Sequence, residues 1–447
     1  MFTVGILLRV GLMIAYRPAF LGIPDSGSYI HAAHSGLFSD PVDPIGYALF
    51  LRIVHFFTGR LFAVTLLQHA LGVGTALLLF DLARFHRNAW LALLPAAVVL
   101  FNGLQLWTEH APLSDPLFTF LCAVILSLTA RERSPGIRRL ALLGVTLGAA
   151  TVVRSVALLL IPLIVAWLLC TMPGGIRSRA LRAGLALILA VGVVGGYMEL
   201  QYHQSGVFGF TESDGRVEYA VAAQFAQCTQ FTPPKGTRGL CQNTPPADRG
   251  SFNQYLYGFP DGASHLPPGG RASVSPAWRL FGAMPGGNSQ LGAFGRAAIL
   301  HQPGAFISQV WRNFSHFWTR SASTFIDDAT AVQPSVDQAA AAYYGVAPGV
   351  SRTGFGPFKE YADIVEIQGI PLLVLLCISL LALADPTAGR RAVGVLAAAM
   401  GWILLAGSSL VASDPRYALP GIGPLALAVA FGVAGICDRI AARSPSS

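Results

Sequence analysis

The chain has few charged residues for its length. Asp, Glu, Lys and Arg make up only 12% of its 447 residues, whereas soluble domains carry about 25%. This deficit argues against the two or three soluble domains that the length alone would suggest. Hydrophobic residues make up 53% of the chain, in blocks of about 20, the length that the apolar core of a bilayer requires. The sequence therefore predicts an all-α polytopic membrane protein.

Lysine is rare, and several well-known motifs are absent. The chain has two lysines against 28 arginines, and no basic cluster is interleaved with aromatic residues as in nucleic-acid-binding surfaces. We therefore expect no nucleic-acid partner, despite the formal charge of +8. The P-loop, the Rossmann glycine pattern, Gly-x-Ser-x-Gly and HExxH are all absent, so no motif supports nucleotide binding or hydrolysis.

About ten transmembrane helices are predicted. The first apolar block contains Arg9 and lacks the basic start and cleavage site of a signal peptide, so we interpret it as a span. Segment 46–58 is rich in aromatic residues but too polar to span. The predicted spans are Phe2–Tyr16, Leu61–Leu82, Ala89–Leu106, Leu113–Ala130, Leu140–Val153, Val156–Cys170, Ala183–Leu200, Val365–Leu383, Ala392–Val411 and Ala418–Cys437.

Arginines concentrate in alternate loops, which indicates the orientation. Short cytoplasmic loops carry an excess of basic residues. We expect a multi-pass protein of the inner (plasma) membrane, and the rule predicts that both of its termini lie in the cytoplasm. The first loop (17–45) and the long polar segment (201–364) would then face outward. The basic clusters are Arg84 and Arg87; Arg131, Arg133, Arg138 and Arg139; Arg177, Arg179 and Arg182; Arg390 and Arg391; Arg439 and Arg443.

Three regions follow from this topology. Residues 1–200 form an N-terminal transmembrane module that includes the first outer loop. Residues 201–364 form a large extracytoplasmic loop domain with Pro/Gly-rich turns at 232–236 and 266–270, and with an amphipathic stretch at 301–320. Residues 365–447 supply the C-terminal transmembrane helices.

The cysteines divide by location. Cys228 and Cys241 bracket twelve residues of the outer loop, and an extracytoplasmic pair that closes a short loop predicts a disulfide. Two free thiols are the alternative, and zinc is disfavoured because no CxxC spacing occurs. The remaining cysteines lie in or at the ends of predicted spans, as small hydrophobic residues.

The first outer loop carries the most informative residues. Asp25 follows the first span, Tyr29 comes four residues later in a small-residue helix, and a Pro-x-Gly-Tyr element ends at Tyr47. This pattern resembles the first periplasmic loop of GT-C glycosyltransferases, closest to the branch of protein O-mannosyltransferases and aminoarabinose transferases. The resemblance implies a polyprenyl-phosphate-linked sugar as donor and Asp25 as the general base or acceptor-orienting residue. The family has Asp-Glu where this chain has Asp25-Ser26, so the second carboxylate is missing.

Three later segments extend the resemblance in the same order. Segment 108–118, which contains Glu109, resembles the acidic start of the family's fourth span, with Ser-Asp in place of the usual Ser-Glu. Arg154 matches the family's arginine at the junction of the fifth and sixth spans. Segment 414–420, with Arg416 and Tyr417, resembles its late Arg-Tyr-x-x-Pro element.

Transfer of a sugar from a lipid phosphate needs two kinds of group. A carboxylate takes the proton of the acceptor, and Asp25 is the candidate catalytic residue. Cations hold the leaving phosphate, which arginine does bidentately. The candidate substrate-binding residues are Tyr29, Glu109, Arg154, Arg416 and Tyr417, and the expected acceptor is an envelope glycan, lipid or protein.

Each of these residues also has a structural interpretation. Asp25 could cap a short helix, and Arg154 could extend to the headgroups. Arg416 could pair locally with Asp414, and Glu109 and Asp115, which flank a short turn, could be solvated helix ends.

The same loop also contains residues that could form a metal site. His31 and His34 are neighbours on a predicted helix, near Asp25, Asp40 and Asp43, and such a group could bind a divalent metal. Loop histidines more often form hydrogen bonds, and the family branch transfers without metal. We therefore expect neither a metal nor another cofactor.

Two other functions compete with the enzyme. A transporter or lipid flippase would show inverted repeats and broken helices with polar residues at mid-membrane, whereas the predicted spans are notably free of central charges. A non-catalytic envelope assembly protein would use the outer loop as a docking surface.

Overall fold

The described part of the molecule is helical throughout. The structure is a computed structural model that describes residues 1–86, 89–258, 275–319, 334–347 and 356–443. No strand occurs within these ranges, so the all-α prediction is confirmed for them. The predictions that lie outside the described residues concern Arg87, the turn at 266–270, Arg320 and the side chain of Arg443.

Within the described residues, ten α-helices precede the long polar segment. Asn102 separates the fifth from the sixth, because its side chain accepts a hydrogen bond from the backbone of Leu104 and starts a new helix at a 50° bend. In chain order they are α1 (Phe2–Ala15), α2 (Pro24–Ser35), α3 (Gly46–Phe57), α4 (Leu61–His86), α5 (Ala89–Phe101), α6 (Gly103–His110), α7 (Asp115–Ala130), α8 (Ile137–Val153), α9 (Leu160–Thr171) and α10 (Ile176–Ser205).

Ten further α-helices follow within the described residues. A 3₁₀ turn, Pro415–Ala418, leads directly into the last of them. They are α11 (Asp214–Ala223), α12 (Phe252–Tyr257), α13 (Pro276–Phe281), α14 (Asn288–His301), α15 (Pro303–Thr319), α16 (Pro334–Tyr344), α17 (Gly356–Ile364), α18 (Ile370–Ser379), α19 (Ala388–Ser409) and α20 (Leu419–Arg443).

The number of helices long enough to span a membrane is smaller than predicted. Four described helices meet the length and apolarity of a span, or five if the bent pair of α5 and α6 counts as one. The others break early, as α8 does at Arg154, or continue as 3₁₀ turns, as α18 does after Ser379. Segment 46–57, judged too polar to span, is one of the shorter apolar helices. The count of ten therefore stays a prediction.

The last helix forms the axis of the apolar bundle. In its most apolar stretch 89% of the residues are buried, against 28% in α10, which lies at the periphery. Small residues and leucines of α20 pack against α5, α7, α18 and α19. The 3₁₀ turn that precedes α20 is thereby held at one end of the bundle, between several helices.

The segment after α10 builds a small core of its own. Tyr219, Phe231 and Phe294 pack with their neighbours from α11, α12 and α14. Cys228 and Cys241 form a disulfide, as the sequence predicts. The amphipathic stretch at 301–320 forms α15, which buries Phe314 and Phe317. The wider division of the chain into three domains stays a prediction.

Candidate active site

Segments from four parts of the chain meet at one end of the bundle. An ion pair of 2.6 Å joins Asp25 Oδ2, in the first turn of α2, to Nη2 of Arg416, in the 3₁₀ turn before α20. The two residues are 391 positions apart in the sequence. We call the group of Asp25, Asp115, Arg154, Asp414 and Arg416 the acid–arginine cluster.

Arg416 is held from two sides. Asp414 accepts hydrogen bonds from the Arg416 backbone amide at 3.0 Å and from its Nε at 3.1 Å, which fixes the 3₁₀ turn. The predicted local pair with Asp414 therefore exists, but it does not exclude a role in the site, because Nη2 still reaches Asp25. The carboxylate of Asp115 lies 3.9 Å from Nη1. The guanidinium is thus surrounded by three carboxylates.

Arg154 enters the cluster because α8 ends there. Its extended backbone terminates the helix, and its carbonyl starts the next 3₁₀ turn. Nε donates to Ser114 Oγ at 2.9 Å, and Nη2 donates to Asp115 Oδ2 at 2.8 Å. Only 15% of the side chain is exposed, so Arg154 does not extend away from the bundle. The ring of Tyr417 lies 5.2 Å from the Arg154 guanidinium and 5.6 Å from that of Arg416, within cation–π range.

A close backbone contact holds the first loop against α8. A Cβ atom on Gly46 would lie 2.6 Å from the carbonyl oxygen of Val152, two residues before Arg154. Only glycine permits this approach. The Pro-x-Gly-Tyr element noted in the sequence therefore places the loop beside Arg154.

Tyr29 links the cluster to two further loop residues. Its hydroxyl donates to Asp43 Oδ1 at 3.3 Å and lies 3.0 Å from Ser114 Oγ. Either hydroxyl could be the donor between Tyr29 and Ser114, and Arg154 also donates to Ser114. A continuous chain of hydrogen bonds thus connects Arg154 through Ser114 and Tyr29 to Asp43.

Asp40 and Asp43 contribute two further carboxyl groups near the cluster. From the sequence they were considered only as metal ligands. Burial raises the pKa of Asp43 well above its usual range, and neighbouring Asp40 and Asp25 raise it further. Burial likewise raises the pKa of Asp40, although two backbone amides donate to its carboxylate. Each raised pKa keeps its carboxyl neutral to a higher pH than usual, which lowers the negative charge beside the two arginines at a given pH.

Asp25 does not act as a helix cap in this arrangement. The residue before α2 is Ile23, and no side chain caps the helix. The carboxylate of Asp25 faces Arg416 instead, with a quarter of the side chain exposed.

Two residues of this site were not named as candidates from the sequence. Ser114 and Asp115 bind Arg154 directly. The sequence showed them as a motif variant at the start of the fourth span, with a solvated helix end as the alternative for Asp115. The sequence feature that could have identified them is a hydroxyl and a carboxylate directly before an apolar run. Asp115 is fully buried, and its Oδ1 makes no hydrogen bond within the described residues.

Glu109 does not join this cluster. It is fully buried in a separate network, where Arg9 donates twice to its carboxylate, each at 2.8 Å. His69 and Gln105 bind the same carboxylate at 2.9 and 3.0 Å. The expectation of a solvated helix end is wrong, and nothing in these contacts brings Glu109 to a substrate beside Asp25. Arg9, which interrupts the first apolar block, has its partner here.

This buried network connects the segments that carry the site. Arg9 donates to the Leu100 carbonyl at 2.9 Å, next to the bend between α5 and α6. His69 contacts His110 at 3.0 Å, and Nε2 of His110 donates to the Tyr16 carbonyl at 2.7 Å. It therefore ties the chain that leads to Asp25 to the turn that leads to Ser114.

The histidines of the first loop do not gather around the carboxylates. His31 is within hydrogen-bonding distance of Ser35, and the ring of His34 packs on Tyr343. Across the described ranges, no group of three or more His, Cys, Asp or Glu side chains could hold a metal ion.

Comparison with known proteins gives limited similarity. No protein-family model and no curated protein matches the chain. Among solved structures, ArnT from Cupriavidus metallidurans bound to undecaprenyl phosphate aligns with 99% of this chain and 80% of its own, at 14% identity and a TM-score of 0.39. The same protein in the apo state aligns with 96% and 77%, at 13% identity and a TM-score of 0.37.

ArnT is a GT-C aminoarabinose transferase, which is the branch that the sequence motifs resemble.

Replacing Glu109 with Gln should destabilise the protein strongly. The change leaves Arg9 and His69 buried without their carboxylate, and breaking a buried pair typically costs about 3–5 kcal/mol. Glu132→Gln is the matched control, because it breaks an ion pair with Arg139 in which the glutamate is 54% exposed, and such pairs are worth at most about 1 kcal/mol. Unfolding in detergent measures both variants, and equal losses would contradict the structural role of Glu109.

Proposed function

We propose that this protein is an inverting membrane glycosyltransferase that uses a polyprenyl-phosphate-linked sugar. The observation that supports this most is the meeting of Asp25, Arg154 and Arg416 at one end of an apolar bundle. A carboxylate beside two partly enclosed guanidinium groups suits a reaction in which a proton is taken and a phosphate leaves. The position at the end of the helices suits a donor whose lipid tail stays in the bilayer.

The proposed reaction is a single displacement. The acceptor hydroxyl oxygen forms the new bond to the anomeric carbon while the bond from that carbon to the phosphate oxygen breaks. Asp25 takes the hydroxyl proton, and the electron pair of the broken bond leaves with the phosphate. Arg154 and Arg416 neutralise the charge that develops there. Tyr29 and Tyr417 would position the donor. Asp115 Oδ1, which has no hydrogen-bond partner within the described residues, would accept a hydrogen bond from a sugar hydroxyl.

Donor binding would also prepare the base. In the free protein Asp25 Oδ2 is occupied by Arg416. The phosphate of the donor would compete for the same guanidinium and release the carboxylate for the acceptor. The proposal therefore includes an order, in which the donor binds before the acceptor.

Orientation and localisation are part of the proposal. The basic segments 131–139 and 172–182 follow α7 and α9. The opposite ends of these two helices approach the acid–arginine cluster, as α7 does from Asp115 to Ala130. The positive-inside rule then favours reaction on the outer side of the plasma membrane, with both termini in the cytoplasm. Residues 201–364 would cover the cleft and select an envelope glycan, lipid or protein as acceptor.

A transporter is the second candidate, and one observation favours it. The bent pair α5 and α6, with the ion pair of Arg9 and Glu109 beside it, is a broken helix with buried charges, as transporters use. It corrects the expectation that the apolar helices lack internal charge. The network is closed, however, because at most 3% of either side chain is exposed. The network of Arg9 and Glu109 therefore holds the helices together.

Asp25→Asn should abolish transfer without abolishing donor binding. The amide keeps the shape but removes the basicity, and loss of a general base typically costs about 10²–10⁴-fold in rate. The assay follows label from a panel of polyprenyl-phosphate sugars, with donor binding measured separately on the same preparation. Asp248→Asn, an exposed aspartate of the loop domain, is the control.

The arginines should show the opposite pattern. Arg154→Lys and Arg416→Lys keep the charge but lose the bidentate fork, so donor binding weakens more than the chemical step. Arg60→Ala, an exposed arginine at the start of α4, controls for charge.

Normal transfer by correctly inserted Asp25→Asn would exclude Asp25 as the base and refute the mechanism.

Donor binding should weaken as pH rises. The carboxyl of Asp43 is neutral below its raised pKa and negative above it, whereas the phosphodiester of the donor is ionised throughout. At higher pH the Asp43 carboxylate therefore repels the donor phosphate beside the two arginines. Asp43→Asn keeps a neutral side chain that can still accept from Tyr29, so its donor affinity should vary less with pH. Binding curves across pH test this, and an unchanged profile in Asp43→Asn would contradict it.

A further inference from the structure

A cleft lies at the end of the bundle opposite the acid–arginine cluster. It has a volume of about 680 Å³ and lies between the beginnings of α8 and α10. Its wall is apolar at Ile137, Leu140 and Leu181, and polar at Arg177, Ser178 and Arg182. Nothing in the proposed reaction uses these residues.

Two helices begin at this cleft and pack side by side. The residues before them are Gly136 and Gly175, and neither helix start has a side-chain cap. The first amide groups of a helix have no partner within it, and a side chain usually satisfies some of them. Here both sets of amides, with the positive ends of two helix dipoles, face the same cleft. An anion in the cleft would satisfy them.

Five of the seven arginines near the cleft have no acidic partner within the described residues. The links 131–139 and 172–182 contain seven arginines and one acid, Glu132. Arg131 pairs with Asp81, and Arg139 pairs with Glu132. Within the described ranges no carboxylate pairs with the others, which are Arg133, Arg138, Arg177, Arg179 and Arg182. Arg182 instead donates to Ser134 at 3.1 Å, so its guanidinium lies between the two links.

Apolar side chains surround this charge at the surface. Ile137 is 74% exposed, Ile176 is 73% exposed and Leu181 is 70% exposed. Water would be an unfavourable neighbour for three such side chains together. In the proposed topology they would lie at the headgroup region of the membrane, where acyl chains can cover them while the arginines meet headgroups.

We propose that this cleft binds the headgroup of an anionic phospholipid. Basic clefts between membrane helices are suited to such headgroups, and the combination of uncapped amides, unpaired arginines and exposed apolar side chains fits a phosphate that carries acyl chains. The positive-inside rule accounts for arginines in these links, but it does not require a cleft between two uncapped helices. The inference is independent of the proposed transferase function.

The test compares lipids that differ only in charge. The purified full-length protein is titrated in detergent with phosphatidylglycerol or phosphatidylcholine of identical acyl chains, and bound lipid is counted by native mass spectrometry. We expect one phosphatidylglycerol to bind in preference. Removing one basic group near headgroups costs about fivefold in affinity, so Arg177→Ala combined with Arg182→Ala should reduce the preference by about 25-fold.

Two further variants keep the result interpretable. Arg177→Lys with Arg182→Lys keeps the charge and should keep most of the preference, whereas Arg60→Ala at the other end of the bundle should leave it unchanged. Equal binding of the two lipids, or an undiminished preference in the double Ala variant, would overturn the proposal. Displacement of the lipid by millimolar inorganic phosphate would also overturn it, by identifying a site for a small anion.

Discussion

The ion pair between Asp25 and Arg416 is the interaction on which the site depends. It joins the first loop of the chain to the turn before the last helix. That turn is fixed because α20 is enclosed by the bundle, so the apolar core positions a guanidinium that the loop carboxylate must meet. The pair also places the base and one phosphate-binding group in direct contact. Whatever binds Arg416 therefore changes the availability of Asp25.

Much of the site was predictable because its residues occur at helix boundaries. Asp25, Arg154 and Arg416 each stand next to an apolar run, where a charged side chain needs a partner or a polar cavity. The motif resemblance supplied the order of these boundaries along the chain. The disulfide was predictable from two cysteines in one polar loop, since a pair that close in sequence can meet without help from the rest of the fold.

Other features depend on contacts between distant segments. Glu109 looked like a solvated helix end because nothing near it in sequence shows that Arg9 and His69 approach it. A Cβ atom on Gly72 would lie 1.8 Å from the Glu109 carboxylate, so the network forms only because that position has no side chain. The break at Asn102 was equally hard to predict, because it falls within a continuous apolar segment, whereas the break at Arg154 coincides with a predicted span boundary. The raised pKa of Asp43 follows from its burial, and only the folded chain defines that burial.

The most direct measurement is the structure of this protein in a lipid nanodisc with undecaprenyl phosphate bound. If the site acts as proposed, the phosphate lies within about 3 Å of the guanidinium groups of Arg154 and Arg416. Asp25 would then have lost its contact with Arg416 and would face open space for an acceptor. A phosphate bound elsewhere, with the pair of Asp25 and Arg416 still intact, would contradict the assignment of this cluster as the transferase site.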